Sequence, residues 1–137
     1  MSDDGQPEAR QITSLDLGPL PAAKINDALG LELADAVVHF SARAQQHAHD
    51  RHPDDFDVCL RHIERVVATP DYIGQGPGQA DGFQLIGEAH QDQAIVLVAI
   101  KVRPDRSGRY IVASTYLIDR NKLERRVRKG FLKPAQT

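Results

Sequence analysis

Residues 47–53, HAHDRHP, hold three of the chain's six histidines together with an aspartate and an arginine. Imidazole changes its protonation state near neutral pH, so closely spaced histidines suit either metal binding or proton transfer. A third interpretation is structural, because positive side chains at a helix C-terminus interact favourably with the helix dipole. Pro53 would end a helix here, so all three interpretations place the stretch at a helix end.

The residue spacing argues against metal binding. His47 and His49 are two positions apart, which separates them by about 200° around a helix and prevents joint coordination. The H-x-H-x-D-H motif of metallo-β-lactamase-like hydrolases requires an aspartate where Arg51 stands. A cation at that position also repels a divalent metal ion. We therefore expect neither a metal nor another cofactor.

Proton transfer fits His47 and His52. Pro53 disfavours helical geometry at the preceding residue, so His52 leaves the helix while His47 stays about one turn earlier. Such a pair suits acid–base chemistry at a hydroxyl or a phosphate ester. Arg51 would stabilise an anionic phosphate beside them. The local sequence leaves this interpretation and the structural one open.

The elements around the stretch are predicted to be helical. Residues 36–40, AVVHF, have the β-branched density of a short strand, and Ser41 is a good N-cap for a helix that ends before Pro53. A second helix follows Asp54 or Asp55 and closes at Pro70. Its apolar residues recur every three or four positions and predict a buried face: Phe56, Cys59, Leu60, Ile63, Val66 and Val67.

Three strand candidates follow the helices: GFQLIGEAH, AIVLVAIKV and RYIVASTYLI. The connecting segments QDQ and RPDRSG are short enough for hairpins. A last short helix is predicted between Asp119, as N-cap, and Gly130. The order predicts an α+β fold, in which N-terminal helices pack on one face of an antiparallel β-sheet meander and a short basic C-terminal helix follows.

The length fits one domain. Residues 1–23 contain GPLPAA and are expected to form a flexible N-terminal arm, and residues 24–137 a single domain. PDYIGQGPGQADG is predicted to be a loop. The acidic start resembles no targeting signal, no apolar run could span a bilayer, and Cys59 has no partner for an intramolecular disulfide. We expect a cytoplasmic protein with no membrane association.

Strand alternation selects further polar residues. In the second strand, Lys101 shares a face with Leu97 and Ala99, opposite the predicted core residues. In the third strand, Ser114 and Thr115 are adjacent and must point in opposite directions. One of the two hydroxyl groups is therefore expected on the open face of the sheet.

Charge is distributed unevenly along the chain. Residues 101–137 contain eleven Lys and Arg against three acidic residues, whereas the first hundred contain six against sixteen. The basic end would attract phosphate groups, unless the two halves mainly neutralise each other. Six of the basic residues belong to the predicted C-terminal helix or its end: Arg120, Lys122, Arg125, Arg126, Arg128 and Lys129.

From about Ala36 to Lys129, this order of elements and motifs resembles the phage-associated barnase–EndoU–colicin–RelE-like nucleases. The resemblance rests on three short motifs: an H-x4-H-P, a helix ending in x-x-P-D-x-I, and a late strand with a pair of small hydroxyl residues. The matching residues are His47, His52 and Pro53, then Ile63, Pro70, Asp71 and Ile73, then Ser114 and Thr115.

The resemblance implies a metal-independent endoribonuclease of the toxin or phage-effector type. Such an enzyme cleaves RNA by attack of its own 2′-hydroxyl and leaves a 2′,3′-cyclic phosphate. His47 and His52 would act as base and acid, in an order that the sequence does not assign. The phosphorane would be stabilised by cations and by a hydroxyl group. The candidates for this role are Arg51, Ser114 or Thr115, and Lys101, which strand alternation adds.

The same resemblance implies partners. The basic C-terminal helix would bind the RNA backbone, with tRNA among the candidate substrates, in a salt-dependent way. A toxin would also have a cognate antitoxin or immunity protein. The alternative is a non-catalytic RNA- or protein-binding module of the same fold, either a degenerate nuclease or a phage accessory protein, since a fold alone does not establish an activity.

Overall fold

A computed structural model describes residues 12–135 of the chain. Within this range the helices are α1 (Ala22–Leu29), α2 (Ala42–Arg51), α3 (Phe56–Ala68) and α4 (Arg120–Arg128). The strands are β1 (Leu15–Pro19), β2 (Val37–Phe40), β3 (Tyr72–Gly74), β4 (Gly82–Ala89), β5 (Ala94–Lys101), β6 (Tyr110–Ile118) and β7 (Leu132–Pro134). A 3-10 turn, His90–Asp92, joins β4 to β5.

All seven strands belong to one sheet in the order β1-β2-β6-β5-β4-β3-β7. The meander β4-β5-β6 is antiparallel and confirms the three predicted strands. The α+β class is confirmed as well. The sheet is not entirely antiparallel, however, because β2 runs parallel to β6 and pairs Val38 with Tyr110 and His39 with Ile111.

Regular secondary structure is present within the segment predicted as a flexible arm. Residues 1–11 of the predicted arm lie outside the described residues. In the remainder of the arm, β1 pairs with β2 and α1 begins at Ala22. The predicted loop after Pro70 also contains β3, which pairs with both β4 and β7. Leu17 and Leu20 are buried, which explains why this part of the chain is held against the sheet.

Helices cover both faces of the sheet rather than one. The larger core lies between the sheet and helices α1 and α3, and includes Ile25, Ile63, Val98 and Tyr110. A smaller core lies on the opposite face, where Leu123 and Val127 of α4 pack on the strands. Part of this second face extends beyond α4, and the candidate site lies there.

Helix α2 lies against the edge of β6 that β2 leaves uncovered. Its N-cap is Ser41, whose Oγ accepts a hydrogen bond from the Ala44 amide at 3.0 Å, as predicted. The buried Gln45 side chain donates to the carbonyl groups of Thr13 and Phe40 at 2.7 and 3.0 Å. Because these bonds tie the first turn of α2 to the chain around β1 and β2, they fix the position of His47, two residues later.

Candidate active site

A β-bulge in β6 decides which hydroxyl group faces the open side of the sheet. Ile100 pairs with Val112, whereas Ala99 pairs with Ser114, so Ala113 is an extra residue. Val112 and Thr115 are both buried. The two residues between them, Ala113 and Ser114, are half-buried and occupy the other face. The bulge therefore leaves Ser114 on the accessible side.

A cavity of about 350 Å³ opens beside this bulge, between α2 and the ends of β5 and β6. Helix α2 contributes His47 and Arg43, and β5 contributes Lys101. The cavity thus places the His47 imidazole beside the Arg43 guanidinium and the Lys101 ammonium group, and Lys101 is far from the other two in the sequence. The lining residues are Ser41, Arg43, Ala44, His47, Lys101, Ile111, Val112 and Ala113.

The cavity has the charge expected of an anion site. Arg43, His47 and Lys101 all have exposed side chains. Among residues 12–135, none of the three forms an ion pair at 4.0 Å or less. A phosphate group placed in the cavity would meet cations that no described carboxylate neutralises.

His52 lies further along the same strand edge. It is the C-cap residue directly after α2, with φ −138° and ψ 63°, so it has left helical geometry before Pro53, as predicted. Its ring stacks on Tyr116, with 4.7 Å between the ring centroids and 23° between the planes. Tyr116 follows Ser114 by two residues, so both side chains share a face. Ser114 therefore lies between the stretch of β6 that lines the His47 cavity and the tyrosine that holds His52.

The other residues of the HAHDRHP stretch point elsewhere. The His49 ring contacts the edge of Phe56, with 5.6 Å between the ring centroids. Arg51 is exposed at the end of α2 and does not line the His47 cavity. In the described part of the chain, no three His, Cys, Asp or Glu side chains are grouped as metal ligands.

Thr115 has a structural role in the core. Its side chain is fully buried, and its Oγ donates a hydrogen bond to the Leu97 carbonyl at 2.8 Å. The buried Cys59 lies next to it. Cys59 is part of the core, as predicted. Of the two hydroxyl residues, Ser114 is thus the one that a substrate can approach.

The remaining histidines with carboxylate contacts lie outside the cavity. His39 Nδ1 is 2.7 Å from an Asp16 carboxylate oxygen, and Arg109 lies 3.1 Å from the same ring nitrogen. His62 Nε2 is 2.6 Å from a carboxylate oxygen of Asp92. Both rings are thus engaged by carboxylates of the fold, away from the cavity.

Helix α4 borders the open face with basic side chains. Arg126 is half-buried and lies 3.4 Å from the Gln84 side-chain oxygen. Arg120 is bound to Glu88 at 2.6 Å, at the opposite end of the helix. This bond lowers the pKa of the Glu88 carboxyl. The other four predicted basic residues are exposed: Lys122, Arg125, Arg128 and Lys129.

Three residues of this region were not among the predicted site residues. Arg43 precedes His47 by four positions, so helical periodicity places both on one face of α2 and could have identified it. Ser41 was predicted only as a helix cap, yet it also lines the cavity. The stacking of Tyr116 on His52 joins elements 64 positions apart in the sequence. No local pattern indicates such a contact.

Comparison with known proteins gives one match. Neither the curated proteins nor the solved structures yield a match. No helix within residues 12–135 is both long and apolar enough to cross a membrane. The sequence model of the phage-Barnase-EndoU-ColicinE5/D-RelE like nuclease 3 family matches residues 17–125, which include α2, β5 and β6. The resemblance is thereby confirmed over most of the chain, and the protein belongs to this nuclease family.

Proposed function

We propose that this nuclease is an endoribonuclease that cleaves RNA by acid–base catalysis without a metal ion. The observation that carries the proposal is the cavity that joins His47 of α2 to Lys101 of β5. An imidazole beside cations that no carboxylate within residues 12–135 pairs with meets two needs of phosphodiester cleavage, a proton acceptor or donor and stabilisation of negative charge. Membership of a nuclease family supports cleavage of phosphodiesters in general.

The proposed reaction is an intramolecular transesterification. One histidine removes the proton of the 2′-hydroxyl, and the 2′-oxygen attacks the phosphorus atom. The bond from phosphorus to the 5′-oxygen breaks, and the other histidine protonates that leaving oxygen. The products are a 2′,3′-cyclic phosphate and a free 5′-hydroxyl, so no water and no external nucleophile are consumed.

Arg43, Lys101 and Ser114 would stabilise the phosphorane. Arg43 takes the role that the sequence first suggested for Arg51, because it lines the cavity and Arg51 does not. Ser114 takes the hydroxyl role because the Thr115 hydroxyl is engaged by Leu97. The exposed basic residues of α4 would bind backbone phosphates on either side.

Single-histidine variants test the proposal. Cleavage of total RNA in EDTA is expected for the unchanged protein, with cyclic phosphate at the new ends. His47→Ala and His52→Ala should each lower the cleavage rate by about 10²- to 10⁴-fold. His49→Ala is the matched control, from the same helix and of the same residue type, and should retain activity. Full activity in both test variants would refute the assignment of the site.

A modified substrate separates the two histidine roles. Sulfur in place of the bridging 5′-oxygen leaves readily without a proton, so the acid becomes dispensable while the base does not. The variant that lacks the acid should recover much of its rate on this substrate, and the variant that lacks the base should not. Equal recovery by both variants would contradict a division of the two proton transfers.

The exposed cations of α4 support one alternative, an RNA-binding module without catalysis. It would bind RNA with steep salt dependence and release no product. Replacing Arg125 and Arg128 by glutamine would then abolish binding, whereas His47→Ala would leave it unchanged.

A further inference from the structure

A second cavity, of about 200 Å³, adjoins the one that contains His47. The two cavities share Lys101 and Ala113 in their walls. A group held by Lys101 is thus next to both spaces at once. If the first cavity receives the scissile phosphate, the second lies beside it, where an adjoining part of the same nucleic acid can bind.

The floor of the second cavity is made of small residues on the open face of the sheet. Gly82 pairs with Lys101, and Gln84 pairs with Ala99, across β4 and β5. Ala113 at the bulge completes the floor. A volume of about 200 Å³ corresponds to about six or seven water molecules, which is the size of one small heterocycle.

Two polar side chains of complementary type reach this cavity. The Gln84 side-chain oxygen accepts a hydrogen bond from Arg126 at 3.4 Å, which orients the amide and leaves its NH₂ group to donate. Asp81 is exposed, and its carboxylate can only accept. In the described part of the chain, no ion pair engages Asp81. A donor and an acceptor in the wall of one cavity are what the edge of a nucleobase requires.

We propose that this second cavity is a base-specificity site, which binds the nucleobase next to the scissile phosphate. Gln84 and Asp81 read the edge of the base, and Arg126 positions Gln84. The four bases present different orders of donors and acceptors along their edges, so the site ranks them. The proposal rests on the proposed function for its substrate class, and it adds the groups that select among RNA sequences.

Binding of single nucleotides tests this site independently of cleavage. The intact protein is titrated with the four nucleoside 3′-monophosphates and with ribose 5-phosphate, and each affinity is measured by calorimetry or NMR. We expect the best and worst nucleotides to differ by about tenfold or more, and the best to exceed ribose 5-phosphate by a similar factor.

Variants identify the groups that carry the preference. Gln84→Glu keeps the shape of the side chain but replaces the donor by an acceptor, so affinity for the preferred nucleotide should fall about tenfold. Affinity for ribose 5-phosphate should change much less. Asp81→Asn should change the ranking in turn. Gln91→Glu makes the same chemical change in the 3-10 turn, outside both cavities, and should preserve the ranking.

The possible outcomes separate this site from the proposed activity. Equal affinities for all four nucleotides, or a ranking that Gln84→Glu leaves intact, would overturn the base site even if the protein cleaves RNA. A ranking that depends on Gln84 in a protein that cleaves no RNA would retain the base site and reject the proposed activity. Absence of any nucleotide binding would overturn the base site.

Discussion

His47, His49 and His52 lie within six positions, yet their rings have three different surroundings. His47 borders a cationic cavity, His49 contacts the edge of Phe56, and His52 stacks on Tyr116. Helical periodicity separates the first two, and the end of α2 turns the third away from the helix. Residue type alone therefore says little about which of them performs chemistry.

The chain's single cysteine, Cys59, should be unreactive toward thiol reagents in the folded state. Burial raises the pKa of the Cys59 thiol to about 11, and the side chain is fully buried. At pH 8 roughly one thiol in a thousand would be ionised, so a disulfide reagent should react very slowly until urea unfolds the protein. The measurement is the rate at which the reagent's own thiol is released on reaction with Cys59, with and without urea. Rapid reaction without urea would contradict the buried position.

At this scale the sequence predicted some residues and left others undecided. The burial of Cys59 followed from its place in an apolar helical pattern. The sequence did not predict whether Ser114 or Thr115 lies on the accessible face, because the residue types in β6 are compatible with either assignment of its two faces. Ala113 is an extra residue in β6 because of how β6 pairs with β5. The position of such a bulge depends on the partner strand and is not evident from the sequence of β6 alone.

At the scale of elements, α3 approaches β4 closely because a glycine faces it. A Cβ atom at Gly87 would lie 2.7 Å from the Val66 Cγ2 atom and 3.2 Å from a guanidinium nitrogen of Arg65. Val66 is a buried residue of the larger core, so it has little room to move. The distance between helix and sheet is thus set by the absence of one side chain.

Gly87→Ala should therefore destabilise the fold. We expect the free energy of unfolding to fall by about 1–3 kcal/mol, because the added methyl group forces α3 and β4 apart. Urea denaturation followed by circular dichroism measures the change. Gly76→Ala is the matched control, since its nearest contact is the flexible end of the exposed Gln79 side chain. Equal stability of Gly87→Ala and the unchanged protein would contradict the close approach.

Long periodic elements were predictable, and short ones were not. The helices α2 and α3 and the meander β4-β5-β6 carry clear periodicity over eight or more residues, and Ser41 also marks the start of α2 as its N-cap. By contrast, β1, β3 and β7 have three to five residues, and β7 lies nearly 60 residues after its partner β3. Such strands form because the sheet offers a partner, not because of their own composition.

At the scale of the whole molecule, two ion pairs within residues 12–135 join the acidic first hundred residues to the basic remainder. Glu88 binds Arg120, and Arg109 lies 3.9 Å from Asp16, so part of the opposite charge is neutralised internally. Most basic side chains of α4 remain exposed. Both interpretations of the charge asymmetry are therefore realised, mutual neutralisation at some positions and an exposed basic surface at others.

The Glu88–Arg120 pair should make stability depend on pH in the acid range. The pKa of Glu88 is lowered in the folded protein. The ionised carboxylate therefore adds to the free energy of unfolding at pH values above the unfolded-state pKa of about 4.3, and this stabilisation is lost as the pH falls through the folded-state pKa. Glu88→Gln should lower the free energy of unfolding by about 0.5 kcal/mol at pH 7, the size typical of a partly exposed pair.

The pH comparison provides the check. Urea denaturation at pH 7 and pH 3 should show that the difference between Glu88→Gln and the unchanged protein disappears at the lower pH. Glu64→Gln, at an exposed position of α3, serves as the control and should show no such change. A difference that persists at pH 3 would mean that the pair contributes through packing rather than through charge.

The assembly of the His47 cavity from α2 and the later strands β5 and β6 has a consequence for synthesis of the protein. His47 and His52 precede residue 60, whereas Lys101 and residues 111–113, which complete the cavity around His47, come later in the chain. A ribosome-bound chain that has not yet extruded β6 carries the histidines without the cavity around them. Under the proposed function, the chain therefore gains the ability to cleave RNA only once β6 has left the ribosome.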